Sequence, residues 1–250
     1  MRAASAADIA DDLELGDWST SSLDELEGIM DIGIIGAGHI GGSLTRRLAE
    51  LGHAVRVSNS RAAETLADLA AETGATAVWA GEAAADADLV IVSIPQKNVV
   101  DLAPGIVAGT KPGAPVIETN NYYPRERDGL IAEIEAGTPE SVWVSEQLGV
   151  PVFKVFNGIF WKHLLEGGLP PGSAGRIALP VAGDDAAGKE IVFGLVDELG
   201  FDPVDGGTLA QSWRQQPGTP VYGADFDAET AIRALAEASP ERSDEFRATE

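Results

Sequence analysis

A doubly wound α/β fold with a mainly parallel sheet is predicted by three observations along this chain. Apolar runs alternate with helical patterns from residue 31 onward. Runs such as Leu89-Val90-Ile91-Val92 are apolar throughout, as strands covered on both faces are. The first run leads directly into Gly36-Ala37-Gly38-His39-Ile40-Gly41, a G-x-G-x-x-G turn followed by a helical pattern.

The elements follow in order. The first strand is read over 31–36 and its helix over 39–51. Between them Gly36 permits the tight turn, Gly38 lets the backbone approach a ligand, and Gly41 lets the helix pack closely on the strand. A second strand is expected over 54–59, a helix over 61–73 and a third strand over 76–79. A short Ala-rich segment (83–87) precedes a fourth strand over 88–94. A helix over 96–108, opened by Pro95, leads to a fifth strand over 114–119. After 120 the spacing loosens. Strands are expected over 152–156 and 177–181, with a loop at 172–175. A helix from about Asp184 to Leu199 stops at Gly200, and a short strand spans 202–204. From Asp225 the chain reads as one surface helix, then disorder from Ser239. The expected units are residues 1–29, 30–223 (with 150–223 as a smaller C-terminal part) and 224–250.

Residues 1–29 carry Asp8, Asp11, Asp12, Glu14, Asp17, Asp24, Glu25 and Glu27 against a single base, Arg2. With few apolar residues, this reads as an acidic, disordered or loosely helical arm. Met30 stands immediately before the first strand and is a candidate natural start. The 250 residues, 44% of them hydrophobic, suffice for one large domain with a small extension. The formal charge of −23 argues against nucleic acid and against an anionic membrane as partners. There is no cysteine and there are three histidines, so thiol chemistry is excluded and no metal is expected. No apolar run approaches a membrane span and no signal peptide is read, so a soluble, cytoplasmic protein is expected.

The glycine turn in its strand–helix setting is the fingerprint of a Rossmann-type dinucleotide-binding fold. Gly36, Ala37, Gly38, His39, Ile40 and Gly41 would cradle a pyrophosphate on free N–H groups at the helix N-terminus. The end of the second strand selects the nucleotide. An NAD-preferring site places an acid there; here Ser58-Asn59-Ser60-Arg61 has none before Glu64. Ser60 and Arg61 suit a 2′-phosphate, through charge-assisted hydrogen bonds, and point to NADP(H). Ser60 also reads as the cap of a helix starting at Arg61.

Ligands in such sheets bind outside the carboxyl ends of the strands. Ser93, Ile94 and Pro95 end the fourth strand and are read as cofactor contacts. Glu118-Thr119-Asn120-Asn121-Tyr122-Tyr123-Pro124 ends the fifth; Asn120 is a candidate contact, in a loop that either closes on the nicotinamide or forms a structured turn. In Lys154-Val155-Phe156-Asn157, Lys154 is a candidate acid or base, with an ion pair as the alternative, and Asn157 a candidate for orienting carboxamide or substrate. His53 reads as structural, and His163 as within reach of a substrate. Hydride transfer needs two rings in contact with water excluded, and no nucleophile.

The fingerprint at 36–41, Ser60-Arg61, Ser93-Ile94-Pro95, Lys154-x-Phe156-Asn157, Pro180-Val181-Ala182-Gly183-Asp184-Asp185 and the run from Leu199 to Gly207 occur in an order that resembles the NADPH-dependent coenzyme F420 reductases (F420H2:NADP oxidoreductases). They are also similar to the cytosolic domain of the six-transmembrane ferric reductases. The resemblance covers roughly residues 31–214. It implies a Rossmann domain with a small C-terminal addition, NADP across the strand ends, and hydride transfer to a deazaflavin or flavin ring. It further implies Ser60 and Arg61 on the 2′-phosphate, Ala37 to Ile40 on the pyrophosphate, Ser93 to Pro95 along the ribose and nicotinamide, and a homodimer. Two departures concern the second substrate. Phe156, Asn157, Phe160 and Trp161 stand where archaeal members place a histidine and small apolar residues. The segment Ser212 to Gly223, with Arg214, Gln215, Gln216 and Tyr222, is unusual and reads as a lid or partner surface.

The sequence thus points to an NADP(H)-dependent oxidoreductase acting on a small-molecule redox substrate, with coenzyme F420 or FMN as the flat partner. One alternative is reduction of a small imine or carbonyl, with Lys154, Tyr122 or His163 as proton donor. The other is a non-catalytic NADP-binding redox sensor.

Overall fold

The computed structural model describes residues 28–249. The acidic arm expected over 1–29 therefore lies, but for its last two residues, outside the described residues. Six parallel strands form the main sheet: β1 (Asp31–Ile35), β2 (Ala54–Ser58), β3 (Thr76–Ala77), β4 (Leu89–Val92), β5 (Val116–Glu118) and β6 (Phe153–Lys154). Their spatial order is β3-β2-β1-β4-β5-β6. The order reverses between β1 and β4, and a crevice opens there at the carboxyl ends. This is the Rossmann arrangement.

The sheet is apolar on both faces because helices and turns cover both. Along β1 and β4, Ile32, Ile34, Leu89 and Ile91 pack to one side with Leu44 and Leu48. Ile35, Val90 and Val92 pack to the other with Trp143 and Val144. Side chains alternate across a strand, so a continuous apolar run supplies both cores. All four residues of β4 are fully buried, each contributing about 1.5–3 kcal/mol relative to exposure.

The helix α1 (His39–Glu50) follows β1 as expected, and α2 (Ala67–Thr73) follows β2. Two expected helices are shorter. Over 61–73 the chain first makes a turn and a 3-10 segment (Ala63–Leu66) before α2. Over 96–108 there is only a 3-10 segment, Gln96–Asp101, and then turns. Pro104 and Gly105 break the helix: proline removes an N–H, and Gly105 has φ +72.

Three short helices follow: α3 (Ala132–Glu135), α4 (Glu140–Leu148) and α5 (Trp161–Glu166). Beyond them β7 (Ala178–Val181) and β8 (Asp202–Asp205) pair in parallel as a second, two-stranded sheet. It joins the main sheet through a bridge between Lys154 and Ala182. The connecting helix α6 (Ala186–Glu198) is capped by Asp185, whose side chain accepts from the Gly188 N–H at 2.7 Å, and Gly200 at φ +93 ends it as expected. The helix α7 (Ala228–Glu237) buries Ala231, Ala234 and Leu235 on this small sheet.

The tail departs from the expected disorder after Ser239. Arg125 donates to the carbonyl oxygens of Asp244 and Arg247. Arg242 donates to Glu140 Oε1 at 2.8 Å, and Phe246 lies against Tyr123. These are polar contacts across large sequence separations, which composition does not reveal. Among the described residues, no helix is long and apolar enough to cross a membrane, and no group of three or more His, Asp or Glu is placed to hold a metal.

Candidate nucleotide-binding and redox cleft

A cleft of about 630 Å³ opens at the β1/β4 reversal, lined by Gly36, Ala37, Gly38, Ser60, Arg61, Ser93, Ile94 and Pro95 among others. Eight residues named from the sequence thus meet at one place. The glycines explain its shape. At Gly36, φ is +111 and an added Cβ would lie 2.0 Å from the Ser93 carbonyl oxygen. At Gly41 a Cβ would lie 1.9 Å from the Gly36 carbonyl oxygen. Both positions hold the turn and the helix against the strand. At Gly38 an added Cβ would meet nothing within 4 Å; that glycine faces open space. No side chain caps the N-terminus of α1, so its first N–H groups are left for an anion.

At the other end of this cleft Asn59 shapes the turn. Its Oδ1 accepts from the Arg61 N–H at 2.8 Å, and its Nδ2 donates to Thr65 Oγ1 at 2.9 Å. The cap expected of Ser60 is corrected: the helical segment starts at Ala63, after Ala62, with no side-chain cap. Asn59 wins because its amide reaches both the Arg61 N–H and Thr65. Ser60 and Arg61 are exposed, and Arg61 forms no ion pair among the described residues. Asn98, Asp101 and Leu102 also line the cleft. The expected helix over 96–108 hid them; Pro104-Gly105 was the signal that the chain turns there.

Ser93 sits between strands, its N–H donating to the Ile35 carbonyl oxygen at 2.8 Å and its Oγ accepting from Thr119 Oγ1 at 2.9 Å. Pro95 precedes the 3-10 segment rather than opening a long helix. Asn120 is buried, and its Oδ1 accepts from the Ile94 N–H at 3.2 Å. Its Nδ2 is a buried donor without a partner among the described residues, and Asn120 itself lines neither this cleft nor the next. A bare helix N-terminus, an open approach at Gly38 and the exposed Ser60 and Arg61 fit a dinucleotide.

A second cleft, of about 480 Å³, lies beyond the glycine turn and is lined by His39, Ile40, Asn121, Tyr123, Asn157, Trp161 and Tyr222 among others. The rings of His39 and Trp161 are stacked, with centroids 4.8 Å apart. Trp161 is held to α1 where Ser43 Oγ donates to its carbonyl oxygen at 3.2 Å. Phe160 beside it is half exposed. Asn157 Nδ2 donates to the Gln215 carbonyl oxygen at 2.7 Å and to Asn121 Oδ1 at 3.1 Å. Asn121 Nδ2 in turn donates to the Asn157 carbonyl oxygen at 2.8 Å and to Tyr222 Oη at 3.3 Å. The hydroxyls of Tyr123 and Tyr222 share a hydrogen bond. Burial pushes both phenols above the ordinary tyrosine range, which keeps them protonated. Tyr222 was read only as part of a lid, and Tyr123 only as part of a loop.

Lys154 is a correction. Expected as a candidate acid or base, it is fully buried and lines neither cleft. Its Nζ donates to Glu118 Oε1 at 3.1 Å and to the Asn120 carbonyl oxygen at 2.9 Å, and lies 3.9 Å from Glu140 Oε2. Glu118 also accepts from Ser141 Oγ and from the Asn120 N–H. Glu140 accepts from the Tyr122 N–H and from Arg242. Burial raises the Glu140 carboxyl above its ordinary range, and Lys154 and Arg242 oppose that shift. Two buried acids thus meet two buried bases, and the lysine's ordinary pairing role prevails. The 212–223 segment is also fixed. Gln215 Nε2 donates to the carbonyl oxygens of Lys154 and Pro180 and to Asn157 Oδ1, and Arg214 donates to the Leu235 carbonyl oxygen. Of the other histidines, His53 is buried and accepts from the Met30 N–H at 3.1 Å, while His163 pairs with Asp225 at 2.7 Å on the surface.

Residues 31–122 match the family model described as NADP oxidoreductase, coenzyme F420-dependent. This chain is thus similar to that family over about a third of its length, in its dinucleotide-binding segment. The Escherichia coli K12 protein YjhV is 53% identical over 67 residues, 27% of this chain and 49% of its own length; this chain therefore matches about half of that relative. A solved hypothetical protein, SMa0349 of Sinorhizobium meliloti, is 28% identical with a TM-score of 0.66, covering 82% of this chain and 98% of that one. A candidate F420-dependent NADP-reductase from Arthrobacter sp. FB24 is 21% identical with a TM-score of 0.59, over 73% of this chain and 87% of that one. At that identity the likeness shows the fold alone, and the fold is the Rossmann α/β arrangement described above. The NADP oxidoreductase model ends at Tyr122, so the second cleft draws most of its lining from outside the matched segment.

Proposed function

We propose that the protein is an NADP(H)-dependent oxidoreductase that passes hydride between NADPH and a flat redox partner, coenzyme F420 or a flavin. One observation carries this reading. A nucleotide cleft with Arg61 at one end meets, past the glycine turn, an aromatic shelf of His39, Trp161 and half-exposed Phe160. Such a shelf suits a planar ring, because offset stacking of aromatic groups contributes beyond area burial.

When bound, the nicotinamide supplies the hydride; the chain binds, orients and shields. Gly38 and the first turn of α1 receive the pyrophosphate. Ser60 and Arg61 receive the 2′-phosphate, where a carboxylate would repel it. Asn120 acts from behind the cleft, its Oδ1 fixing the Ile94 N–H at the end of β4. The interlocked amides of Asn121 and Asn157 line the same cleft as the shelf and limit how the second ring lies. Lys154 takes no part except by holding the β5 and β6 ends together.

The test is to incubate the protein with NADPH and either coenzyme F420 or FMN, following the absorbance of both chromophores. Turnover with either supports the reading. Tight NADPH binding without any change in either chromophore overturns it and favours a redox sensor.

A further inference from the structure

Exchange of hydride between two rings leaves one feature of the second cleft unused. The phenols of Tyr123 and Tyr222 together carry two O–H groups and bond to each other. Tyr222 Oη also accepts from Asn121 Nδ2 at 3.3 Å. Whichever phenol donates within the pair, one O–H remains without an acceptor among the described residues. Both side chains line the cleft that holds Asn157 and the His39–Trp161 stack. The pair is held from behind. The Arg127 guanidinium lies 5.2 Å from the centre of the Tyr123 ring and donates to the Asn121 carbonyl oxygen, and Phe246 lies against Tyr123.

We infer that this remaining O–H is a donor for the oxygen of a small carbonyl substrate, so that the cleft also reduces aldehydes. The inference rests on the NADPH reading above and extends it to a second substrate class. A deazaflavin or flavin can take its second hydrogen from water. A carbonyl cannot accept hydride easily without a donor on its oxygen, because the alkoxide formed is far more basic than a phenolate. The step balances. The carbonyl carbon takes the hydride that NADPH loses in becoming NADP⁺, and the C=O π pair moves to oxygen. The O–H proton of the tyrosine pair follows to that oxygen, giving the alcohol, and the phenolate left behind recovers a proton from solvent through its partner hydroxyl. The amide of Asn121, itself bonded to Asn157, holds Tyr222 in place from the side.

The test uses the full chain with NADPH and glycolaldehyde, following loss of NADPH absorbance. Aldehyde-dependent oxidation is expected. Tyr222→Phe and Tyr123→Phe, and above all the double variant, should lower kcat by about 10²–10⁴-fold, the usual worth of a positioned proton donor, while NADPH affinity stays within about twofold. A second readout needs no turnover. Glycolamide offers the same carbonyl oxygen but accepts no hydride, and its binding, followed by calorimetry, should weaken in Tyr222→Phe by roughly five- to tenfold, as for one lost hydrogen bond. If NADPH binds and glycolaldehyde is not reduced, the inference is overturned while the ring-to-ring reading stands. The same holds if the double variant keeps its rate and its glycolamide affinity. If NADPH does not bind at all, the nucleotide reading fails and this inference fails with it.

Discussion

The carboxyl ends of different strands in one sheet have opposite characters here. Where β1 ends, the chain is bare: three glycines, an uncapped helix start, and no side chain over Gly38. Where β5 and β6 end, the space is filled by the chain's own charges, with Glu118, Glu140, Lys154 and Arg242 drawn together largely out of water. A strand end in a doubly wound sheet is therefore a binding site only where the chain leaves its polar groups unspent. Each buried ion costs several kcal/mol to desolvate, so a cluster of four has little freedom to engage a ligand.

The comparison breaks most readily at Lys154. Lys154→Met should cost about 3–5 kcal/mol of stability, as removal of one member of a buried pair does, read as a fall in urea midpoint. A variant that stays stable but loses turnover would instead place the lysine in the chemistry. The open end is sharpened by two glycines. Gly36→Ala forces a side chain into φ +111 and against the Ser93 backbone, and should cost roughly 1–3 kcal/mol of stability or more. Gly38→Ala should leave thermal stability nearly unchanged but weaken NADPH by on the order of tenfold, ~1.4 kcal/mol, measured by fluorescence titration. Arg61→Ala should weaken NADPH by about 1–3 kcal/mol and NADH far less; equal weakening of both would sink the 2′-phosphate assignment.

The smallest effect comes from a surface counterpart of the buried cluster. Lys189 Nζ lies 2.9 Å from Asp205 Oδ1, and that bond holds the Asp205 carboxyl below its ordinary range. A depressed carboxylate contributes stability above its unfolded-state value and loses it as pH falls through the folded one. Lys189→Met should thus cost at most about 1 kcal/mol near neutral pH. The difference from wild type should shrink in acid, as pH-dependent denaturation curves will show.

Much of this was legible in the sequence where the signal is local. The glycine turn, β1, β4 and the stop at Gly200 are written in contiguous residues, and Ser60-Arg61 sits where the second strand delivers it. What escaped depends on topology. Lys154 meets Glu118 across 36 residues and Asn157 meets Gln215 across 58, distances over which periodicity carries nothing. Tyr123 and Tyr222 meet across 99 residues, so neither alone signals a shared pair. The overlong helix at 96–108 was a local error, since Pro104-Gly105 was there to read.

The Arg242 contact has a consequence for biosynthesis. Glu140 leaves the ribosome 102 residues ahead of the arginine that completes its neutralisation. Until residue 242 has been translated, a nascent chain that has already folded its sheet holds two buried acids against one base. A chain truncated before that residue carries a Glu140 whose carboxyl, already raised by burial, has lost one of the two bases that oppose the shift.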